Sequence, residues 1–121
     1  MIKRIVVAGC RNYDNYEEAK QYIDQCILRI RNTNKIIILS GCAKGADQLG
    51  ERYALENGFE IERYPAEWKV YSKKAGPLRN KKMAEACDIV ICFWDGQSRG
   101  TKSMISLAEK LQKTVYLKII K

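Results

Sequence analysis

The sequence predicts an α/β domain: one five-stranded parallel sheet in the order 3-2-1-4-5, covered by helices on both faces as a three-layer fold. Three observations predict it. Strand-like and helix-like segments alternate β-α-β-α-β-α-β-α-β along the 121 residues, the pattern of a sheet wound through helical crossovers. Ile36-Ile37-Ile38-Leu39 and Ile89-Val90-Ile91-Cys92-Phe93 are continuous apolar runs, as expected of strands covered on both faces. Right-handed crossovers then give the strand order, with a reversal between the first and fourth strands that opens a crevice at their carboxyl ends. A chain of 121 residues fits one domain, 1–121, and no second.

The elements follow in order. Ile2 to Ala8 is a β-branched run closed by Gly9, which reads as a buried strand. Asp14 or Asn15 caps a helix with apolar residues at Tyr16, Ala19, Tyr22, Ile23, Cys26, Ile27 and Ile30, expected to end near Asn32-Thr33-Asn34. Lys35 to Ser40 is the second strand, broken by Gly41, and a helix follows from about Ala46 to Asn57 with Gly58 as its C-cap. Phe59 to Tyr64 alternates apolar and polar residues and reads as a strand nearer the sheet edge, ended by Pro65. Ala66 to Ala75 is the least regular stretch, expected as a mobile loop. Pro77 suits the first turn of a helix running to about Ala86. Asp88 to Phe93 is the fourth strand, Thr101 to about Gln112 the last helix, and Thr114 to Ile119 the last strand.

Composition excludes several classes. No apolar run approaches the ~20 residues that cross a bilayer, and Met1-Ile2-Lys3-Arg4 runs into a strand without signal-peptide architecture; both point to a cytoplasmic protein with no membrane partner. The five cysteines are odd in number and widely spaced, and the chain has no histidine. A zinc site needs clustered thiolates or imidazoles, so no metal is expected, and no histidine is present to serve as base to a catalytic thiol. The net charge of +8 fits attraction to a polyanion, to a small anionic ligand, or a basic solvated surface, to which Lys73, Lys74, Lys81 and Lys82 belong. The basic residues are scattered, without a recognition-helix pattern or an aromatic platform, so nucleic acid ranks behind a small ligand as partner.

Four clusters carry the chemistry, and three of them directly follow strands. They are Gly9-Cys10-Arg11-Asn12-Tyr13, Ser40-Gly41-Cys42-Ala43-Lys44-Gly45-Ala46-Asp47, Ala75-Gly76-Pro77-Leu78-Arg79-Asn80 and Asp95-Gly96-Gln97-Ser98-Arg99-Gly100-Thr101. In the expected topology the first, second and fourth converge on one mouth. A glycine turn lets backbone approach an anion, and the following helix presents free N–H groups and its positive dipole end. Gly41 to Asp47 and Gly96 to Thr101 both have this form; neither is a Walker A sequence. Ser98 and Thr101 can add hydroxyl donors, and Arg11 and Arg79 planar bidentate charge. Asp47 suits a ribose hydroxyl, a loop brace or a helix cap. The glycines can equally be strand-ending turns, Arg79 a surface charge, Trp94 a core or loop anchor, and Trp68 and Tyr13 either anchors or base-stacking rings. The candidate ligand-binding set is Gly9, Arg11, Tyr13, Ser40, Gly41, Ala43, Gly45, Asp47, Arg79, Asn80, Asp95, Gly96, Ser98, Gly100 and Thr101.

These motifs together resemble the YspA/YpsA-related branch of the SLOG superfamily, which also includes the DprA/Smf proteins and the Lonely guy enzymes. The resemblance rests on Gly9-x-Arg11-x-Tyr13, Ser40-Gly41-x-Ala43-x-Gly45-Ala46-Asp47, Gly76-Pro77-x-Arg79-Asn80-x-x-Met83 and Phe93-Trp94-Asp95-Gly96-x-Ser98-x-Gly100-Thr101. It implies a Rossmann-like sheet, a pocket for a nucleotide or nucleotide-derived ligand (ADP-ribose-like or cyclic), and homodimerisation. Lonely guy enzymes hydrolyse the N-glycosidic bond of nucleoside monophosphates with an arginine and a glutamate near Pro-Gly-Gly-x-Gly-Thr-x-x-Glu. Here Gly100-Thr101 matches, but Gln97-Ser98-Arg99 replaces Pro-Gly-Gly and Met104 stands at the glutamate position. The leading expectation is a binding or sensing module without a cofactor. The alternative is a hydrolase of a nucleotide N-glycosidic or phosphoester bond using Asp47 or Asp95, and a third reading is DNA binding in the DprA/Smf manner.

Overall fold

The computed structural model describes residues 1–30 and 33–121. Its strands are β1 (Ile2–Gly9), β2 (Lys35–Ser40), β3 (Glu60–Arg63), β4 (Ile89–Trp94) and β5 (Thr114–Ile119). All pair in parallel in the order β3-β2-β1-β4-β5, with β1 central. The expected topology is therefore the observed one. The helices are α1 (Tyr16–Leu28), α2 (Ala46–Asn57), α3 (Trp68–Tyr71), α4 (Ala75–Ala86) and α5 (Arg99–Lys110).

The period-2 pleat divides the apolar strand residues between two cores. Ile5, Val7, Ile38, Ile89, Ile91 and Phe93 face a core that also takes Tyr16, Ala19, Ile23 and Cys26 of α1 and Tyr53 and Ala54 of α2. Val6, Ala8, Ile37, Leu39, Val90 and Cys92 face the other, closed by Met83 and Ala84 of α4 and Met104 and Ala108 of α5. The sheet is thus covered on both faces. On the first face α2 comes down onto β1 at Gly50, where a Cβ would lie 2.6 Å from that of Val7.

Several expected boundaries move, among them β4, which runs Ile89–Trp94 rather than Asp88 to Phe93, and the last helix, which ends at Lys110. α1 ends at Leu28, capped by Arg29, because the Arg29 and Ile30 N–H groups turn back to Cys26 and Ile27; the expected end near Asn32-Thr33-Asn34 includes Asn32, which lies outside the described residues. β3 is shorter by one residue at each end. The stretch 66–75, expected as an irregular loop, holds α3 and a 3₁₀ turn over Ser72–Lys74 that leads into α4 at Ala75. Pro77 sits within the first turn of α4, where its missing N–H costs nothing. The last helix starts at Arg99 rather than Thr101 because Ser98, not a later residue, is the cap. Among the described residues no helix is long and apolar enough to cross a membrane.

Candidate functional site

The carboxyl ends of β1, β2 and β4 open into a cleft of about 350 Å³, within the range of small-ligand sites. Gly9, Arg11, Ala43, Asp47, Arg79, Asn80, Asp95, Ser98, Gly100 and Thr101 line it, all from the candidate set, together with Ala8, Cys10, Asn12, Met83 and Met104. The first, second and fourth clusters meet there as the topology requires, and the third meets them from α4.

The third cluster is what ties the others together. From α4, Arg79 donates through Nη1 to the Gly41 carbonyl at the end of β2. Its Nε donates to Asn80 Oδ1 at 3.0 Å, and Asn80 Nδ2 donates to the Gly100 carbonyl at the start of α5, 3.3 Å away. One arginine and one asparagine therefore bridge the second loop to the fourth. Asn80, almost fully buried, is accounted for by these two bonds.

The fourth loop is built by its own side chains. Asp95 Oδ1 accepts the N–H groups of Gln97 and Ser98, each at 2.8 Å. Ser98 caps α5, its Oγ accepting from the Thr101 N–H and lying 3.1 Å from Thr101 Oγ1. The Trp94 indole donates to the Ser98 carbonyl at 3.0 Å. α5 thus delivers an ordered amino end, with Gly100 exposed and open at its surface, to the cleft.

The second loop is arranged differently. The Ala46 N–H, first of α2, donates to the Cys10 carbonyl at 3.2 Å, and Gly45 (φ +79°) has no room for a Cβ, which would lie 2.3 Å from that same oxygen. The amino end of α2 is therefore packed against the first loop. What α2 places in the cleft is the Asp47 carboxylate, which accepts the Ala43 N–H at 3.2 Å. Asp47 is 5% exposed, and burial pushes its carboxyl up to about 6, against the opposing pull of the Ala43 N–H and Arg79. Asp95, at the rim, is held below the usual carboxylate range by the Ser98 and Gln97 N–H groups. Burial and the nearby Arg11 lower the Arg79 guanidinium, yet among the described residues neither arginine has an ion pair within 4.0 Å.

Five candidates lie away from the cleft wall. Tyr13 turns into the core, stacked on Phe93 with ring centroids 5.1 Å apart, and its hydroxyl donates to Glu18. Ser40 is buried and donates to Glu51 while accepting the Cys42 N–H. Gly41 receives Arg79, Gly45 packs on the first loop, and Gly96 makes the exposed turn of the fourth loop. Met83 and Met104, each 1% exposed, also line the cleft; the sequence places Met83 in the third motif and Met104 at the position of the related enzymes' glutamate, without assigning either to the binding set, and Cys10 and Asn12 lie inside the first cluster with no separate signal.

A family model described as YAcAr, the YspA, cpYpsA-related SLOG family, matches residues 3–71. The chain is 35% identical over 86 residues to Gene 61 protein of Mycobacterium phage D29, covering 66% of this chain and 69% of that protein. Two solved structures share the fold. DNA processing protein A of Streptococcus pneumoniae superposes with a TM-score of 0.73 at 21% identity, over 97% of this chain and 50% of that one. DNA processing protein A of Helicobacter pylori, from a structural study of its single-stranded DNA binding mode, superposes with a TM-score of 0.71 at 19% identity, over 98% and 66%. The chain thus spans half to two-thirds of those proteins.

Proposed function

This chain belongs to the YspA, cpYpsA-related SLOG family, and from that premise we propose that its cleft binds or senses a phosphate-bearing, nucleotide-derived ligand of the ADP-ribose or cyclic-nucleotide kind. The observation that carries the reading is the meeting of Arg11, Arg79 and the capped amino end of α5 in one cleft. Both carboxylates there already accept backbone N–H groups, Asp47 from Ala43 and Asp95 from Gln97 and Ser98. With the Thr101 N–H given to Ser98 and Arg79 Nε and Nη1 given to Asn80 and Gly41, the Arg11 guanidinium, Arg79 Nη2, the Gly100 amide and the Thr101 hydroxyl are the groups suited to an anion. Met104 presents a thioether where the resembling hydrolases carry glutamate, which favours retention of the ligand over its cleavage.

The hydrolase reading keeps one specific support. Asp47 is buried in the cleft wall with its pKa raised to about 6, suited to proton transfer near neutral pH, whereas Asp95 is held ionised by its loop. If turnover occurs, Asp47 is the acid–base group.

A panel of nucleotides, cyclic nucleotides, dinucleotides and single-stranded oligonucleotides, scored for thermal stabilisation and for product, tests both. A ligand at 100-fold its Kd adds about 2.7 kcal/mol. Stabilisation without product is expected; product formation moves the assignment to Asp47-dependent hydrolysis. Binding only of oligonucleotides, with steep salt dependence, replaces it with nucleic-acid binding. No stabilisation by any of them refutes the phosphate cleft.

A further inference from the structure

We propose that the cleft continues into a second lobe that stacks an aromatic base on Trp68, so that the ligand is a nucleoside joined to a second sugar through a diphosphate. This rests on the reading that the first lobe binds phosphate.

Beyond Arg11, Ala43 and Arg79, which it shares with the first lobe, lies a second hollow of about 410 Å³ whose far wall includes Lys44, Pro65 and Trp68. Each lobe is large enough for one ligand moiety, at the lower end of small-ligand sites. The two arginines therefore stand on the boundary between lobes, not at the end of one. An anionic centre seated between them has room for a group on either side. A diphosphate with a sugar inward and a base outward has that shape, while a monophosphate sugar fills the inner lobe alone.

Trp68 supplies the base-binding surface. It opens α3, is 49% exposed, and belongs to neither apolar core. Its position is nevertheless fixed from α4: a Cβ on buried Gly76 would lie 3.3 Å from Trp68 Cη2, so the bare glycine lets the indole edge rest there. An indole held at one edge and open toward a lobe lined by cations is a stacking platform for a base. Among the described residues its Nε1 donates to no protein group, unlike that of Trp94, which holds the fourth loop.

Calorimetric titration of ribose 5-phosphate and ADP-ribose into the wild-type, Trp68→Leu, Trp68→Phe and Arg11→Ala proteins tests this. Trp68 is half-exposed, so its variants keep the core intact. The expected result is tighter binding of ADP-ribose than of ribose 5-phosphate by the wild type. Trp68→Leu weakens ADP-ribose about tenfold or more, the scale of base–aromatic stacking, and leaves ribose 5-phosphate within twofold. Trp68→Phe keeps a ring face and restores most of the loss. Equal effects of Trp68→Leu on both ligands, no effect on ADP-ribose, or a phenylalanine protein as weak as the leucine one overturns the stacking lobe. If ribose 5-phosphate still binds the wild type and Arg11→Ala abolishes it, the phosphate cleft survives that loss; if neither ligand binds, both fall.

Discussion

Arg79, on α4, reaches across the mouth of the sheet and donates to the carbonyl of Gly41, the residue that follows β2. The contact fixes the second loop from a helix that follows it by more than thirty residues in the chain. It also aims the guanidinium at the cleft. The site is therefore held by tertiary bonds between loops rather than by any loop alone.

Removing that side chain is expected to act on stability and binding together. Arg79→Ala leaves the buried Gly41 carbonyl without its donor, a cost of about 1–3 kcal/mol, read by urea unfolding. The same variant should weaken a phosphate ligand at least tenfold. Arg79→Lys keeps charge but loses the planar fork, and should recover less than half of either loss.

The two glycines nearest the helix starts should behave oppositely. Gly45→Ala forces a side chain into a positive φ and against the Cys10 and Arg11 carbonyls, and should cost more than about 3 kcal/mol. Gly100→Ala meets nothing within 4 Å and should hold or gain about 0.5–1 kcal/mol in the helix. Since Gly100 lines the cleft, that variant should lose affinity while its thermal midpoint does not fall.

Asp47 makes stability depend on pH in a defined direction. Its carboxyl titrates near 6 when folded against 3.8 when unfolded, so between those values the folded chain binds more protons. Its contribution therefore falls as pH rises from about 4 to about 6, and is flat above. Asp47→Asn has no such term. Relative to wild type, the variant should gain about 2.4 kcal/mol between pH 4 and pH 7, measured by chemical unfolding at each pH. An unchanging difference contradicts the buried ionisation.

The strand pattern was readable because β1, β2 and β4 are covered on both faces, and their apolar runs have no other reading at that length. The convergence of clusters followed from the crossover rule and needed no side-chain detail. What the sequence alone does not place depends on tertiary contacts. Tyr13 looked like part of a binding loop, but its ring has Phe93 to stack on, a residue eighty positions away. The stretch around Trp68 looked irregular because a single turn of helix is too short to show a period, and its ring is seated by Gly76 of a later helix. Gly41 to Asp47 read as an anion seat, although the first N–H of α2 is already given to Cys10.

Thiol reactivity offers an independent check on that second loop. Cys42 is exposed while the other four cysteines are buried, so an aromatic disulfide reagent should release one equivalent rapidly from the native protein. Cys42→Ser should remove that phase and leave the other four to appear on unfolding. Cys42 lines the outer lobe, and a ligand occupying that lobe should slow its reaction.

Whether Arg11, Arg79 and the amino end of α5 form one phosphate seat is read by titration calorimetry with ADP-ribose. One ligand per chain is expected for the wild type, with the heat lost in Arg11→Ala and at least tenfold weaker binding in Thr101→Ala, both variants folded by circular dichroism. Binding that neither substitution alters, or no binding by the wild-type protein of ADP-ribose or any other phosphate ligand, would contradict it.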